Sequence, residues 1–340
     1  MSRFLKKPVR PLEVDADSNV KDILDAMGDT AFQARTLSMA ARVWGEMLRD
    51  RTTIFLGLSG AMVPAGMRRV IRFLIENRLI DCLVSTGANL FHDAHETLGK
   101  FHWQGCANAK DLELKRERID RIYDVLASDR EFCDTDKFIA RFASTLDKTM
   151  AYTTREFLFL LGERLSKVSR EDGILTSAYK ARIPIYCPAI GDSSIGIALV
   201  VDHPKAKLLF DTLKDVEEMA RLVIGAKATG VIYLGGGTPK NFIQQTEVTA
   251  PFMGKRVPGH KYAIQVTCDS PQWGGLSGCT FEEAQSWGKI ARNAHKVTVY
   301  CDTTIALPLI VTALAQDDSH IIRKRKLPKI PFFNRKAENS

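Results

Sequence analysis

The sequence contains no run of about 18 consecutive apolar residues, so no membrane-spanning helix is expected. Its opening residues, Met1-Ser2-Arg3-Phe4-Leu5-Lys6-Lys7-Pro8, carry no apolar signal core, which points to the cytoplasm. Neither a CxxC pair nor an HExxH motif occurs. The seven cysteines are scattered, several in apolar runs, and read as small buried hydrophobes in a reducing compartment. His92 and His95 could share a helix face, but with no third ligand near them no metal is expected. No linker rich in Pro, Gly or Ser divides the chain and no repeat is visible, so residues 1–340 are read as one domain. Basic excess is also missing from the body. Of the net charge of +8, six units come from residues 321–340, where seven basic residues face one acidic one. A nucleic-acid-binding body would carry that excess on folded elements, so the tail is expected to be solvated. Neither nucleic acid nor membrane is an expected partner.

What is present is ordinary for a globular protein: 45% hydrophobic and 26% charged residues in 340 positions, enough for a sizeable core. Residues 1–20 read as an extended arm. Helical periodicity follows over Val20–Met27, stopped at Gly28, and over Phe32–Leu48. The period then changes. Thr52–Leu58 and Asp81–Thr86 read as buried strands, each followed by a turn and a helix, the pattern of a parallel sheet. Residues 100–180 read as a mostly helical insertion, with Asp111–Leu126 and Asp136–Val168 its longest periodic pieces. The sheet pattern resumes at Ile183–Ala189 and continues with Gly230–Leu234, Tyr262–Thr267 and Val297–Tyr300. Asp302-Thr303-Thr304 caps a last apolar helix. The fold expected is α/β and Rossmann-like: a mostly parallel sheet with helices on both faces and a helical insertion.

In such a sheet, ligands bind beyond the carboxyl ends of the strands. Those ends are Ser59-Gly60, Thr86-Gly87, Gly191-Asp192-Ser193, Gly235-Gly236-Gly237, Thr267-Cys268 and Asp302-Thr303. Glycines let backbone N–H groups approach a phosphate, and an aspartate such as Asp192 or Asp302 could hold ribose hydroxyls. The set suits a dinucleotide, although no GxGxxG follows the first strand. A second feature is Glu283-Ala284-Gln285-Ser286-Trp287-Gly288-Lys289, set between a glycine-rich loop and a strand. Burial of Lys289 would lower its pKa and make it an amine nucleophile able to form an imine.

Several ordered motifs resemble the deoxyhypusine synthase family, from about Met27 to Ala315. They are Met27 to Gln33, Ser59 to Gly66, Thr86-Gly87, Cys187-Pro188-Ala189 with Asp192, Leu234 to Gly237, Ser286 to Ile290, and Val299 to Asp302. The resemblance implies NAD as cofactor and a homotetramer with active sites at dimer interfaces. It implies hydride removal beside an amine of a polyamine, capture of the imine by Lys289, and transfer to a second amine. Trp287 would pack along the amine chain and Glu283 would contact it. NAD contacts carry over to Ser59, Thr86, Gly87, Asp192, Gly236, Thr267, Asp302 and Thr303.

The sequence departs from the family on the amine side. Asn241 stands where the family has a proton-transferring histidine after the lysine, and Ile197 where it has an amine-binding aspartate. Phe91 and His92 replace an acidic pair, and Trp273-Gly274-Gly275-Leu276-Ser277 replaces an aspartate-containing loop. Asp93, Glu96, Asp269 or Glu283 could restore the charge, and His92 could restore the base. The expected function is an NAD-dependent transferase on free polyamines, forming homospermidine or a guanidino analogue from putrescine, spermidine or agmatine. The alternatives are modification of a protein lysine, as by true deoxyhypusine synthase, and a non-catalytic NAD- or polyamine-binding regulator.

Overall fold

The computed structural model describes residues 3–201, 208–317 and 325–333. Six parallel strands form the main sheet: β1 (Thr52–Leu58), β2 (Cys82–Ser85), β3 (Ile185–Tyr186), β4 (Ala228–Leu234), β5 (His260–Thr267) and β6 (Ile290–Tyr300). Their spatial order is β6-β5-β4-β1-β2-β3. Every residue of β1 is buried, as a central parallel strand covered on both faces requires. Its side chains alternate between two cores. Ile54, Leu56 and Leu58 join Trp44, Ile71 and Leu74 on one face, while Phe55 joins Val231, Tyr233 and Ile243 on the other.

Four helices position the site: α1 (Gly87–Thr97), α2 (Gly237–Phe252), α3 (Phe281–Ser286) and α4 (Thr303–Asp317). The first two begin directly after β2 and β4, and α4 follows β6. Asp302 caps α4 as expected, its Oδ1 accepting the backbone N–H of Thr304 at 2.7 Å. Among the described residues no helix is long and apolar enough to cross a membrane.

Three expectations need correction. Asp111–Leu126 is not one helical piece but a short helix, Asp111–Arg116, running into a hairpin of Ile119–Ile122 and Val125–Ser128. The hairpin turns at Tyr123, whose φ of 55° no helix interior accommodates. Asp136–Val168 is two helices, Asp129–Ser144 and Thr154–Ser166, the second started by a capping box between Thr153 and Glu156.

The third correction concerns the basic tail, which packs onto the body where it is described. The Arg325 guanidinium donates to both Asp81 carboxylate oxygens, at 3.0 and 2.5 Å, and to the carbonyl of Thr52 at 2.8 Å. Both side chains are 1% exposed. Burial pushes the Asp81 carboxyl up, against the pull of Arg325. Beyond it, Ile330 and Phe332 pack on the second core, and the Arg155 guanidinium lies 5.3 Å from the Phe332 ring. Asp81 and Thr52 sit where β2 and β1 begin, so this clamp holds the sheet edge opposite the strand carboxyl ends. The rest of the tail, 321–324 and 334–340, lies outside the described residues.

Candidate functional site

The chain leaves β1 for β2 and β3 on one side, then returns to β4 on the other. That reversal opens a crevice between the carboxyl ends of β1 and β4, where open α/β sheets bind ligands. Ser59 and Gly235-Gly236-Gly237 face each other there. The Ser59 N–H donates to the Leu234 carbonyl at 3.0 Å and its hydroxyl to the Gly236 carbonyl at 2.5 Å. Gly235 has φ 74°, and a Cβ on Gly236 would meet Ser277 Cα at 2.4 Å, so neither position admits a side chain without rearrangement. Neither the α1 N-terminus, capped by Thr86, nor the α2 N-terminus, capped by Gly236, has a side-chain cap bond. Their first-turn donors therefore suit an anion such as a pyrophosphate, though the Gly237 N–H reaches Ser277 Oγ at 3.2 Å.

The remaining strand-end residues gather along the same edge. Thr86 donates its N–H to the Leu58 carbonyl at 3.1 Å, beside Gly60. Gly87 stands against Ser193, which brings the exposed Asp192 loop to the start of α1. Thr267 is buried and Cys268 exposed at the end of β5. Asp302 is exposed and Thr303 buried at the end of β6. This glycine cradle, with small hydroxyls and two exposed aspartates, fits a dinucleotide.

Lys289 is placed by a helix stop. The Lys289 N–H bonds the Ala284 carbonyl at 3.1 Å and the Gly288 N–H bonds Gln285 at 3.0 Å, the paired pattern of a Schellman ending to α3. Gly288 takes the required left-handed conformation, φ 72°. Hence the glycine beside the lysine: it turns the chain so that Lys289 enters β6 from a fixed point. The Lys289 carbonyl then accepts the His260 N–H at 3.1 Å.

The Lys289 side chain faces a cavity of about 190 Å³ lined by Asn241, Gly275, Leu276, Glu283 and Trp287. Its Nζ lies 3.5 Å from Asn241 Oδ1 and 5.4 Å from the centroid of the Trp287 ring. Lys289 itself is half-buried rather than buried. The fully enclosed lysine is its neighbour Lys240, 1% exposed, on the first turn of α2. Lys240 Nζ donates to Gln265 Oε1 at 2.8 Å and to the Cys279 carbonyl at 2.6 Å. Among the described residues no carboxylate bonds it, and burial pushes its pKa down to about 8, with Lys289 acting in the same direction and Cys279 and Glu283 opposing. Gln265 Nε2 in turn donates to the carbonyls of Gly235 at 2.9 Å and Ser277 at 2.7 Å. One hydrogen-bonded chain thus joins the Lys289 cavity to the glycine edge.

Sequence reasoning did not single out Gln265 or Cys279, and treated Lys240 only as a landmark. The signal for Lys240 was its place after the glycine run, but only tertiary packing makes it buried. Two residues named from the sequence lie away from this cavity in the protomer. Ile197 is exposed on the helix Ser194–Val201. His92 is buried on α1 beside His102, and burial pushes it down to about 3. Asp93 is not free to hold an amine. It is fully buried, paired with Arg68 Nε at 2.8 Å and accepting the N–H groups of Ile174 and Leu175 at 2.7 and 2.8 Å.

Comparison with known proteins shows the family. The profile of the deoxyhypusine synthase family matches residues 22–314. A Methanosarcina mazei protein named "Probable deoxyhypusine synthase 2" is 52% identical over 92% of this chain and 90% of its own. One of the same name from Archaeoglobus fulgidus is 52% identical over 89% of this chain and 98% of its own. A "Deoxyhypusine synthase-like protein" of Chlorobaculum parvum is 37% identical over 90% of this chain and 89% of its own. In fold, the chain is similar to a crystal structure assigned to the deoxyhypusine synthases of Entamoeba histolytica, with TM-score 0.61 and 18% identity over 90% of this chain and 96% of that one. The match along nearly the whole chain, with relatives above half identity, shows that this protein belongs to the deoxyhypusine synthase family, a family of NAD-dependent transferases.

Proposed function

We propose that the protein transfers an aminobutyl-type group between free polyamines through an imine on Lys289, forming homospermidine or a guanidino analogue from putrescine, spermidine or agmatine. The observation that carries this reading is the convergence of Lys289, Asn241, Glu283 and Trp287 on one small cavity. The chemistry NAD would supply there is reversible hydride transfer at the carbon beside the donor amine. Ser59, Gly60, Thr86, Gly87, Asp192, Gly236, Thr267, Cys268, Asp302 and Thr303 are the residues proposed to hold NAD. Lys289, as the free amine, adds to the imine carbon, and the rest of the donor leaves as an amine carrying the bonding pair and a proton. A second amine adds at the same carbon and Lys289 departs. Trp287 offers an aromatic face and Glu283 a carboxylate to the cationic chain. Asn241 cannot titrate, so its proposed part is to hold Lys289 at the reacting carbon.

The amine side, with Leu276 and Gly275 where the family carries acidic character, favours a free amine over the family's usual acceptor. The names of the closely similar archaeal relatives favour a second reading, modification of a protein lysine. A homotetramer is proposed for either reading. Ile197, Val200 and Val201 leave an exposed apolar strip on one helix, 56%, 69% and 66% exposed, of the kind that partners cover.

Product analysis separates the readings. The protein is incubated with NAD and pairs of putrescine, spermidine and agmatine, and separately with spermidine and a protein acceptor. A free triamine product supports transfer between polyamines. A product on the protein acceptor alone replaces that reading with the second. Neither product, with no NADH signal from any amine, rejects both.

A further inference from the structure

We infer that Glu96, His102 and His92 form a directional proton relay ending in an unprotonated Nε2 on His92, with Glu96 and His102 as its positioning residues. The reaction it serves rests on the function proposed above; its direction follows from local geometry alone.

His92 and Glu96 are one helical turn apart on α1, and Gly99, with φ 81°, turns the chain back so that His102 lies beside both. Glu96 Oε1 lies 2.8 Å from His102 Nδ1, and His102 Nε2 lies 2.9 Å from His92 Nδ1. A carboxylate can only accept, so His102 Nδ1 carries the hydrogen. A neutral His102 then has a bare Nε2, and the hydrogen in the second contact must come from His92 Nδ1. His92 Nε2 is left as a lone pair. It makes no hydrogen bond among the described residues. Phe91 and Phe132 pack against the His92 ring, at 5.8 and 5.4 Å between centroids, and fix its plane.

The chain of contacts also answers how so buried an imidazole accepts a proton. A proton taken at His92 Nε2 is matched by release of the Nδ1 proton to His102 Nε2. One proton enters, one moves on, and the positive charge comes to rest on His102 against the Glu96 carboxylate. His92, which burial pushes down to about 3, never has to hold the charge. Arg68 Nε is 3.8 Å from Glu96 but bonds Asp93 at 2.8 Å. Lys100 donates to the Glu131 carbonyl at 2.6 Å, and His95 Nδ1 contacts Thr135 Oγ1 at 3.2 Å. Glu131 Oε2 lies 4.0 Å from His95 Nε2. His92 lies on the second turn of α1, whose first residue, Gly87, stands on the candidate dinucleotide edge.

Two measurements test the relay. In the full-length protein labelled with ¹⁵N-histidine, above the pH at which the same spectra show His102 to be neutral, His92 should carry its proton on Nδ1. A proton on His92 Nε2 overturns the inference. The second uses His102→Gln, whose amide can donate to Glu96 and accept from His92 but cannot pass a proton. It should bind NAD and amine within about twofold of wild type yet lose about 100-fold in kcat, with the acid limb of its pH profile moved. Wild-type kcat and pH profile in His102→Gln contradict the relay. If the wild-type protein turns over no amine, the proposed function fails, and the tautomer measurement then decides the relay by itself.

Discussion

Lys289 Nζ stands 3.5 Å from Asn241 Oδ1, a contact to a side chain that can orient an amine but cannot exchange a proton with it. Lys289→Arg can keep that contact while removing the nucleophile. Transfer product should fall by at least about 1,000-fold, as for loss of a covalent catalytic group, with NAD affinity unchanged. Residual transfer near the wild-type rate would show that Lys289 is not the covalent centre.

Gly236 offers a test of the cofactor edge. A methyl group there would meet Ser277 Cα at 2.4 Å and push the glycine run off the β5 side of the crevice. Gly236→Ala should weaken NADH binding by about tenfold, the equivalent of a modest overpacking penalty. Gly225→Ala, where nothing lies within 4 Å of the added carbon, is the control and should bind as wild type. Fluorescence titration reads both.

Lys240 predicts a signed pH dependence of stability. Its folded pKa, about 8, lies below the ordinary 10.5, so between those values the unfolded chain holds more proton on this group than the folded one does. Its contribution to stability therefore rises as pH increases from about 8 to about 10.5, by about 3 kcal/mol in full. Denaturant unfolding of the wild type and Lys240→Met at pH 7.5 and at pH 10 isolates that contribution. The wild type should gain stability relative to the variant at the higher pH. A relative loss would contradict the burial of an ammonium bonded only to neutral oxygens here.

The clamp on the opposite edge makes a prediction for the tail. Arg325→Ala leaves Asp81 enclosed without its cation, which should cost about 3–5 kcal/mol of unfolding free energy. Lys326→Ala, at an exposed neighbour, should change stability by less than about 0.5 kcal/mol. Equal effects would mean that the tail contributes only charge.

The strand ends were legible in the sequence because parallel strands buried on both faces write themselves as apolar runs, and glycine or a hydroxyl marks where each stops. The Lys289 turn was not read from the sequence: Gly288 stood there only as a neighbour of the lysine, and its left-handed φ of 72° appears in the structure. What could not be read depends on contacts between distant segments. Lys240 becomes an enclosed lysine only because Gln265 and the Cys279 carbonyl close over it. Arg325 meets Asp81 across 244 residues, and within its own stretch it is one basic residue among seven. The hairpin of 119–128 was mistaken for helix because its charged, alternating residues fit either period until Tyr123 turns the chain.

The most direct test of the central claim is chemical trapping. The full-length protein is incubated with NAD and one donor amine at a time, reduced with borohydride, digested and mapped by mass spectrometry. A stable aminobutyl-type adduct on Lys289 with one amine is the predicted result. An adduct on another lysine, or none with any amine while NADH still forms, would contradict it.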